Sequence, residues 1–157
     1  MLTDTIGVIE PCMARQHLLF HTTNDLLNFC QLYPHWKDKP GQNVFTALGL
    51  SPSSSQLQEL IIRFPNARLV GVFDNDIVGN VLDCKIVLWQ RSKNIQFRLI
   101  QNDVTFRFKG IDFKIPAGEF SLHRFKTLTG IRSTYRTIKP KQYVSFLAMS
   151  SHTMGSL

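Results

Sequence analysis

Residues 68–79 read Arg68-Leu69-Val70-Gly71-Val72-Phe73-Asp74-Asn75-Asp76-Ile77-Val78-Gly79, and this stretch decides the fold. Leu69 to Phe73 is an unbroken apolar run, too short for a helix and rich in the side chains that suit a pleated surface. It stops at three consecutive polar residues, Asp74, Asn75 and Asp76. From Val78 to about Gln90 the period changes, and Val81, Leu82, Ile86 and Trp89 fall on one helical face. A wholly apolar strand feeding a helix belongs to a parallel sheet covered on both faces.

Upstream the same alternation repeats. Thr5-Ile6-Gly7-Val8-Ile9 reads as a short strand ending at Glu10, and Met13 to Tyr33 as helix in two pieces, the second capped by Asn24 or Asp25. Residues 34–43 are a polar loop broken by Pro34, Pro40 and Gly41. Val44-Phe45-Thr46-Ala47-Leu48 is a second strand. Ser51 to Ser55 then cap a helix over Gln56 to Phe64, with Leu57, Leu60, Ile61 and Phe64 on one face. The order β-α-β-α-β-α predicts an α/β fold, Rossmann-like, with a central, mostly parallel sheet flanked by helices.

Downstream the character changes. Ile95–Ile100, Val104–Lys109 and Ile111–Ile115 are strand-like, with turn signals at Asn102-Asp103 and Gly110, and predict antiparallel β-hairpins. Residues 119–130 and Gln142–Met149 read as helices, and Ser150 to Leu157 as a frayed end. The reading is one domain over residues 1–157, with a core at about 5–92 and a basic hairpin-and-helix extension at about 93–150.

Charge divides the chain in the same way. Residues 1–84 carry five Lys/Arg against eight Asp/Glu, a net of −3, and residues 85–157 carry thirteen against three, a net of +10. A basic half beside a mildly acidic half points to a polyanion partner, nucleic acid above all. Arg124, Lys126, Arg132, Arg136, Lys139 and Lys141 are the candidate phosphate contacts. Phe97, Phe106, Phe108 and Phe113, interleaved with Arg98, Arg107, Lys109 and Lys114, read either as buried core or as a base-stacking surface; the alternation favours core. No apolar run approaches the ~20 residues of a membrane span, and residues 1–20 lack a signal-peptide layout, so a cytoplasmic location is expected. Cys12, Cys30 and Cys84 form no C-x-x-C pair and read as small core residues. His17 and His21 stand at i, i+4 without the intervening Glu of a zinc helix.

In a parallel sheet, functional groups gather beyond the carboxyl ends of the strands. Two strands end in acids here, the first at Glu10 and the third at Asp74 and Asp76. Carboxylates that converge repel one another unless a cation neutralises them, and Mg²⁺, which takes one or two protein carboxylates and keeps its waters, is the natural ion. The competing reading is that Asp74, Asn75 and Asp76 cap the following helix.

Val8-Ile9-Glu10, Ala47-Leu48-Gly49-Leu50 and Gly71-Val72-Phe73-Asp74-Asn75-Asp76-Ile77-Val78-Gly79 together resemble the Toprim domain of bacterial-type primases, topoisomerases and certain nucleases. The last string resembles most the Asp-Asn-Asp-x-x-Gly form of Toprim-like proteins of Bacteroidetes mobile elements. The resemblance covers about residues 5–92 and implies a Toprim-like fold. It also implies Glu10 as the catalytic acid or base and Asp74 and Asp76 as ligands of Mg²⁺ or Mn²⁺. The activity implied is DNA primase-like or nuclease-like phosphoryl transfer on DNA or RNA, DNA foremost, within a larger DNA replication or mobilisation complex. The chain also departs from the pattern. Family members place Gly or Ser after the Glu and an Asp a few residues on, where this chain has Pro11 and then Ala14 and Arg15. A Lys-Asp-x-Asn string near the end has no acidic counterpart in Gln142–Phe146. The alternative is therefore a catalytically inactive nucleic-acid-binding module. A phosphatase using Asp74 as nucleophile would want Thr where Val78 stands, and strand passage through Tyr135 would need domains this chain has no room for.

Overall fold

The structure, a computed structural model, describes residues 4–6, 10–38 and 41–140. The readings at residues 7–9, Lys141, Gln142–Met149 and Ser150–Leu157 lie outside them. The chain divides into two compact units, one of residues 1–75 with 134–157, the other of residues 76–133. The division falls within the Asp-Asn-Asp string, between Asn75 and Asp76.

The first unit is built on a five-stranded sheet: β1 (Asp4–Ile6), β2 (Gln16–Phe20), β3 (Asn43–Ala47), β4 (Arg68–Gly71) and β8 (Arg136–Thr137), in the order β1-β3-β2-β4-β8. β3, β2, β4 and β8 run parallel, and β1 adds an antiparallel edge. The α/β class and the parallel sheet are as expected, but the first parallel strand is not. It is β2, lying inside the segment Met13–Tyr33 that reads as helix. Gln16-His17-Leu18-Leu19-Phe20 is buried on both faces, so it shows no period of two, and a short run without a period does not distinguish strand from helix.

Helix α1 (Thr23–Leu32) starts only after the turn, where the Thr22 hydroxyl accepts from the Asp25 N–H at 3.1 Å. Leu26, Phe29 and Cys30 of α1 pack on the face of the sheet that carries Leu18, Phe20, Phe45, Ala47, Val70 and Val72. Trp36, from the segment read as a polar loop, joins the same cluster. Helix α2 (Ser54–Arg63) carries a full capping box, with Ser53 and Gln56 each satisfying the other's N–H. Its C-cap, Phe64, meets the opposite face of the sheet edge-on to His17 at 5.1 Å. Both faces of the sheet are thus covered.

The second unit holds α3 (Ile77–Gln90), the antiparallel sheet β5 (Arg98–Ile100), β6 (Asp103–Phe108) and β7 (Ile111–Pro116), and α4 (Leu122–Thr129). The hairpins are as read. Gln101 and Asn102 in one turn, and Lys109 and Gly110 in the other, take positive φ. That is the two-residue turn whose twist matches paired strands. Val104, Phe106, Phe108 and Ile115 point into the unit's core, where Phe125 of α4 meets Phe106 at 5.2 Å and Phe97 at 5.7 Å. The phenylalanine face is core, not a base-stacking surface. Cys30 and Cys84 are buried and Cys12 exposed, all three as free thiols. No helix among the described residues is long and apolar enough to cross a membrane.

Candidate functional site

Numbered among themselves, the parallel strands β2, β3, β4 and β8 follow the order 2-1-3-4, so the direction of winding reverses between β2 and β4. In sheets of this kind the crevice beyond the carboxyl ends at such a reversal is where ligands bind. β2 ends at Phe20 and is followed by His21. β4 ends at Gly71, and the Val72 N–H still reaches the Leu19 carbonyl at 2.8 Å, which carries the chain alongside β2 as far as Phe73 and Asp74. The half-buried His21 ring stands edge-on to Phe73 at 6.4 Å. Gly49, beyond β3, donates its N–H to the His21 carbonyl at 2.9 Å and takes φ +90°, a conformation other residues rarely adopt.

Lys139, just beyond β8, completes this edge. Its ammonium donates to the carbonyls of Phe73 at 3.2 Å and Asp74 at 3.0 Å. It is held there because Ile138 N–H pairs with the Gly71 carbonyl at 2.9 Å, extending β8 along β4.

Glu10 is elsewhere. It is exposed and precedes a 3-10 turn at Pro11–Met13, its carbonyl accepting from Met13 N–H at 3.0 Å. Cys12 and Arg15 are tied to Asn66 and Gln42, the residues that lead into β4 and β3. Glu10 therefore lies at the amino edge of the parallel strands and Asp74 at the carboxyl edge. One β2 length, roughly 15 Å, separates the two edges, whereas the ligands of one Mg²⁺ sit within about 2.1 Å of it. The expected convergence of three carboxylates does not occur. It was inferred from a strand at Thr5–Ile9 running parallel to β4, and β1 runs antiparallel at the far edge.

Asp76 belongs to the second unit and is the N-cap of α3, its Oδ1 accepting from Gly79 N–H at 2.7 Å. The capping reading of the Asp-Asn-Asp string thus holds for its last member. Asp76→Ala is expected to cost about 1 kcal/mol, read as a lowered urea midpoint at unchanged slope. Among the described residues, no three His, Cys, Asp or Glu side chains come together as a group that could hold a metal ion. Glu10 lies remote from Asp74, Asp76 caps α3 through Oδ1, and the Lys139 ammonium sits on the main-chain carbonyl of Asp74. No step is derived through Mg²⁺.

Of the basic set, Arg124 and Arg132 are exposed and Lys126 half-buried in the second unit. Arg136 is exposed on β8 of the first, and Lys139 is the carbonyl-bound residue described above. Tyr135 is buried. The residues missed from the sequence are His21 and Lys139 as members of the carboxyl edge. The signal for His21 was a polar residue closing an apolar run, the same cue that singled out Asp74. No family model, curated protein or solved structure matches this chain.

Proposed function

We propose that this chain is a Toprim-like nucleic-acid-binding module that holds a polyanion without carrying out phosphoryl transfer on it. The observation that supports this reading most is the make-up of the carboxyl edge. The resemblance calls for a Glu at the end of the first parallel strand, then a small residue, then an Asp a few positions on. The strand in that place is β2, and after it come His21, Thr22 and, four residues beyond His21, Asp25. The spacing is kept and the acid is replaced by an imidazole. The carboxylates that call for a metal in the active family do not converge here, and the Lys139 ammonium sits on the main-chain carbonyls of Phe73 and Asp74. What remains suits holding phosphate, since the net +10 of residues 85–157 provides the salt-sensitive, sequence-independent attraction of a nucleic-acid binder. A cytoplasmic role inside a DNA replication or mobilisation complex accords with that reading.

The test incubates the protein with labelled single- and double-stranded DNA and RNA, with Mg²⁺ or Mn²⁺ and nucleoside triphosphates. The expected result is binding that weakens steeply with salt, with no cleavage and no primer synthesis in any combination. Turnover abolished by Asp74→Asn would establish the enzyme reading instead.

A further inference from the structure

The β5-β6-β7 sheet has two unlike faces. Its inner face carries Phe106, Phe108 and Ile115 into the core, and its outer face is open and lined by cations. Cross-strand register places Arg98 opposite Thr105 and Thr105 opposite Lys114, so the three form one row across the sheet. Arg107 and Asp112 form the next row of the same face. These residues, with Gln96, Ile100, Phe106 and Phe113, line an open cavity of about 530 Å³.

Three cations, Arg98, Arg107 and Lys114, therefore share this face with two carboxylates, Asp112 and Asp103. Arg107 meets Asp112 at 3.9 Å, and Lys114 meets Asp103 at 3.4 Å; the two cations and Asp112 are mostly exposed. Surface pairs of this kind contribute little and exchange readily for another anion. Arg98 has no carboxylate partner among the described residues, only the Gln96 side-chain carbonyl at 3.3 Å. The Arg98–Lys114 row spans two strand spacings, about 10 Å. That is a track for one chain of phosphates beside neutral donors from Thr105 and Gln96.

We infer that this outer sheet face is where a single strand of nucleic acid runs, its phosphates held by Arg98, Arg107 and Lys114. The inference rests on the nucleic-acid reading above and specifies its surface. It assigns the binding to strand cations outside the set Arg124, Lys126, Arg132, Arg136, Lys139 and Lys141 expected from the sequence. The occupant follows from charge complementarity with exposed, exchangeable cations, among them Arg98, which has no carboxylate partner among the described residues.

The experiment uses the full chain and fluorescence anisotropy with labelled oligo-dT and oligo-U across a salt series. Arg98→Gln, Arg107→Gln and Lys114→Gln are combined in one variant. An Arg15→Gln, Lys37→Gln, Arg68→Gln variant, which removes the same three charges from exposed positions of the first unit, controls for net charge. The triple variant is expected to lose about 10- to 100-fold in affinity and to lower the log–log salt slope by about 2, at roughly 0.7 per phosphate contact. The control is expected to bind much as the wild type does. An unchanged melting temperature confirms that the triple variant is folded, as three exposed substitutions should leave it. If the triple variant binds like the wild type while Arg124→Gln with Arg132→Gln loses affinity, the sheet-face inference is overturned and the nucleic-acid reading stands. If the wild type binds no oligonucleotide at any salt, the reading itself falls and takes the inference with it. Binding of a poly-Glu peptide in place of oligonucleotide overturns both.

Discussion

Acidification from pH 6.5 to pH 3 is expected to cost the fold about 4–5 kcal/mol through His17 alone. His17 is fully buried on the α2 side of the sheet. Its Nε2 and the Thr46 hydroxyl share a hydrogen bond of 2.7 Å, and Nδ1 has no partner among the described residues. Burial, and secondarily the Arg63 guanidinium, pushes its pKa down from 6.5 to about 3. Above pH 6.5 the imidazole is neutral in both folded and unfolded chains, and His17 contributes no pH dependence. Below that, the unfolded chain takes up a proton that the folded chain refuses until about pH 3, so stability falls with pH across this window. Carboxylates titrate in its lower part, so the measurement is a difference. Urea unfolding is followed from pH 7 to pH 3.5 in the wild type and in His17→Gln, which keeps a donor for Thr46. The variant's stability should fall less steeply, by up to about 1.4 kcal/mol per pH unit. Parallel profiles would refute the assignment.

The second large effect is local. Phe125→Ala is expected to destabilise the unit of residues 76–133 by about 3–5 kcal/mol, the usual cost of removing a buried ring. Phe125 is fully buried, with Phe97 and Phe106 at 5.7 and 5.2 Å, and Phe106 stacks in turn on Phe113 at 5.1 Å. These rings are the inner support of the face that carries Arg98 and Lys114. Hydrogen exchange should show amides of β6 and β7 losing protection while those of β2 and β3, in the other unit, keep theirs. Loss of protection at β2 and β3 to the same extent would mean that the two units unfold together.

The sequence was informative where a run had a period or a clear stop. β3, β4, the hairpins β5-β6-β7 and helices α2, α3 and α4 lie within a few residues of their expected positions. The capping box at Ser53 and the cap at Asp76 were visible as residue types before an apolar stripe. It was misleading at β2, where burial on both faces erased the alternation that marks a strand. That one substitution of helix for strand moved the first functional strand end from His21 to Glu10, and the metal argument moved with it. Lys139 was visible as a basic residue but not as part of the carboxyl edge. β8 is two residues long, and its place beside β4 is set by contacts 66 positions apart in the chain.

That separation has a consequence for how the chain folds. A helix of a dozen residues is enough to join two parallel neighbours, yet between β4 and β8 the connection is the whole unit of residues 76–133. Closing a flexible loop of that length instead of a short one costs only about 1.4 kcal/mol more, since each doubling adds about 0.6 kcal/mol. A two-residue strand has little with which to offset even that. While the intervening unit is unfolded, β8 is the last strand to zip onto the sheet and the first to leave, and Lys139 leaves the Phe73 and Asp74 carbonyls with it. The order in which the chain folds therefore runs through the inserted unit before it reaches the carboxyl edge of the parallel sheet.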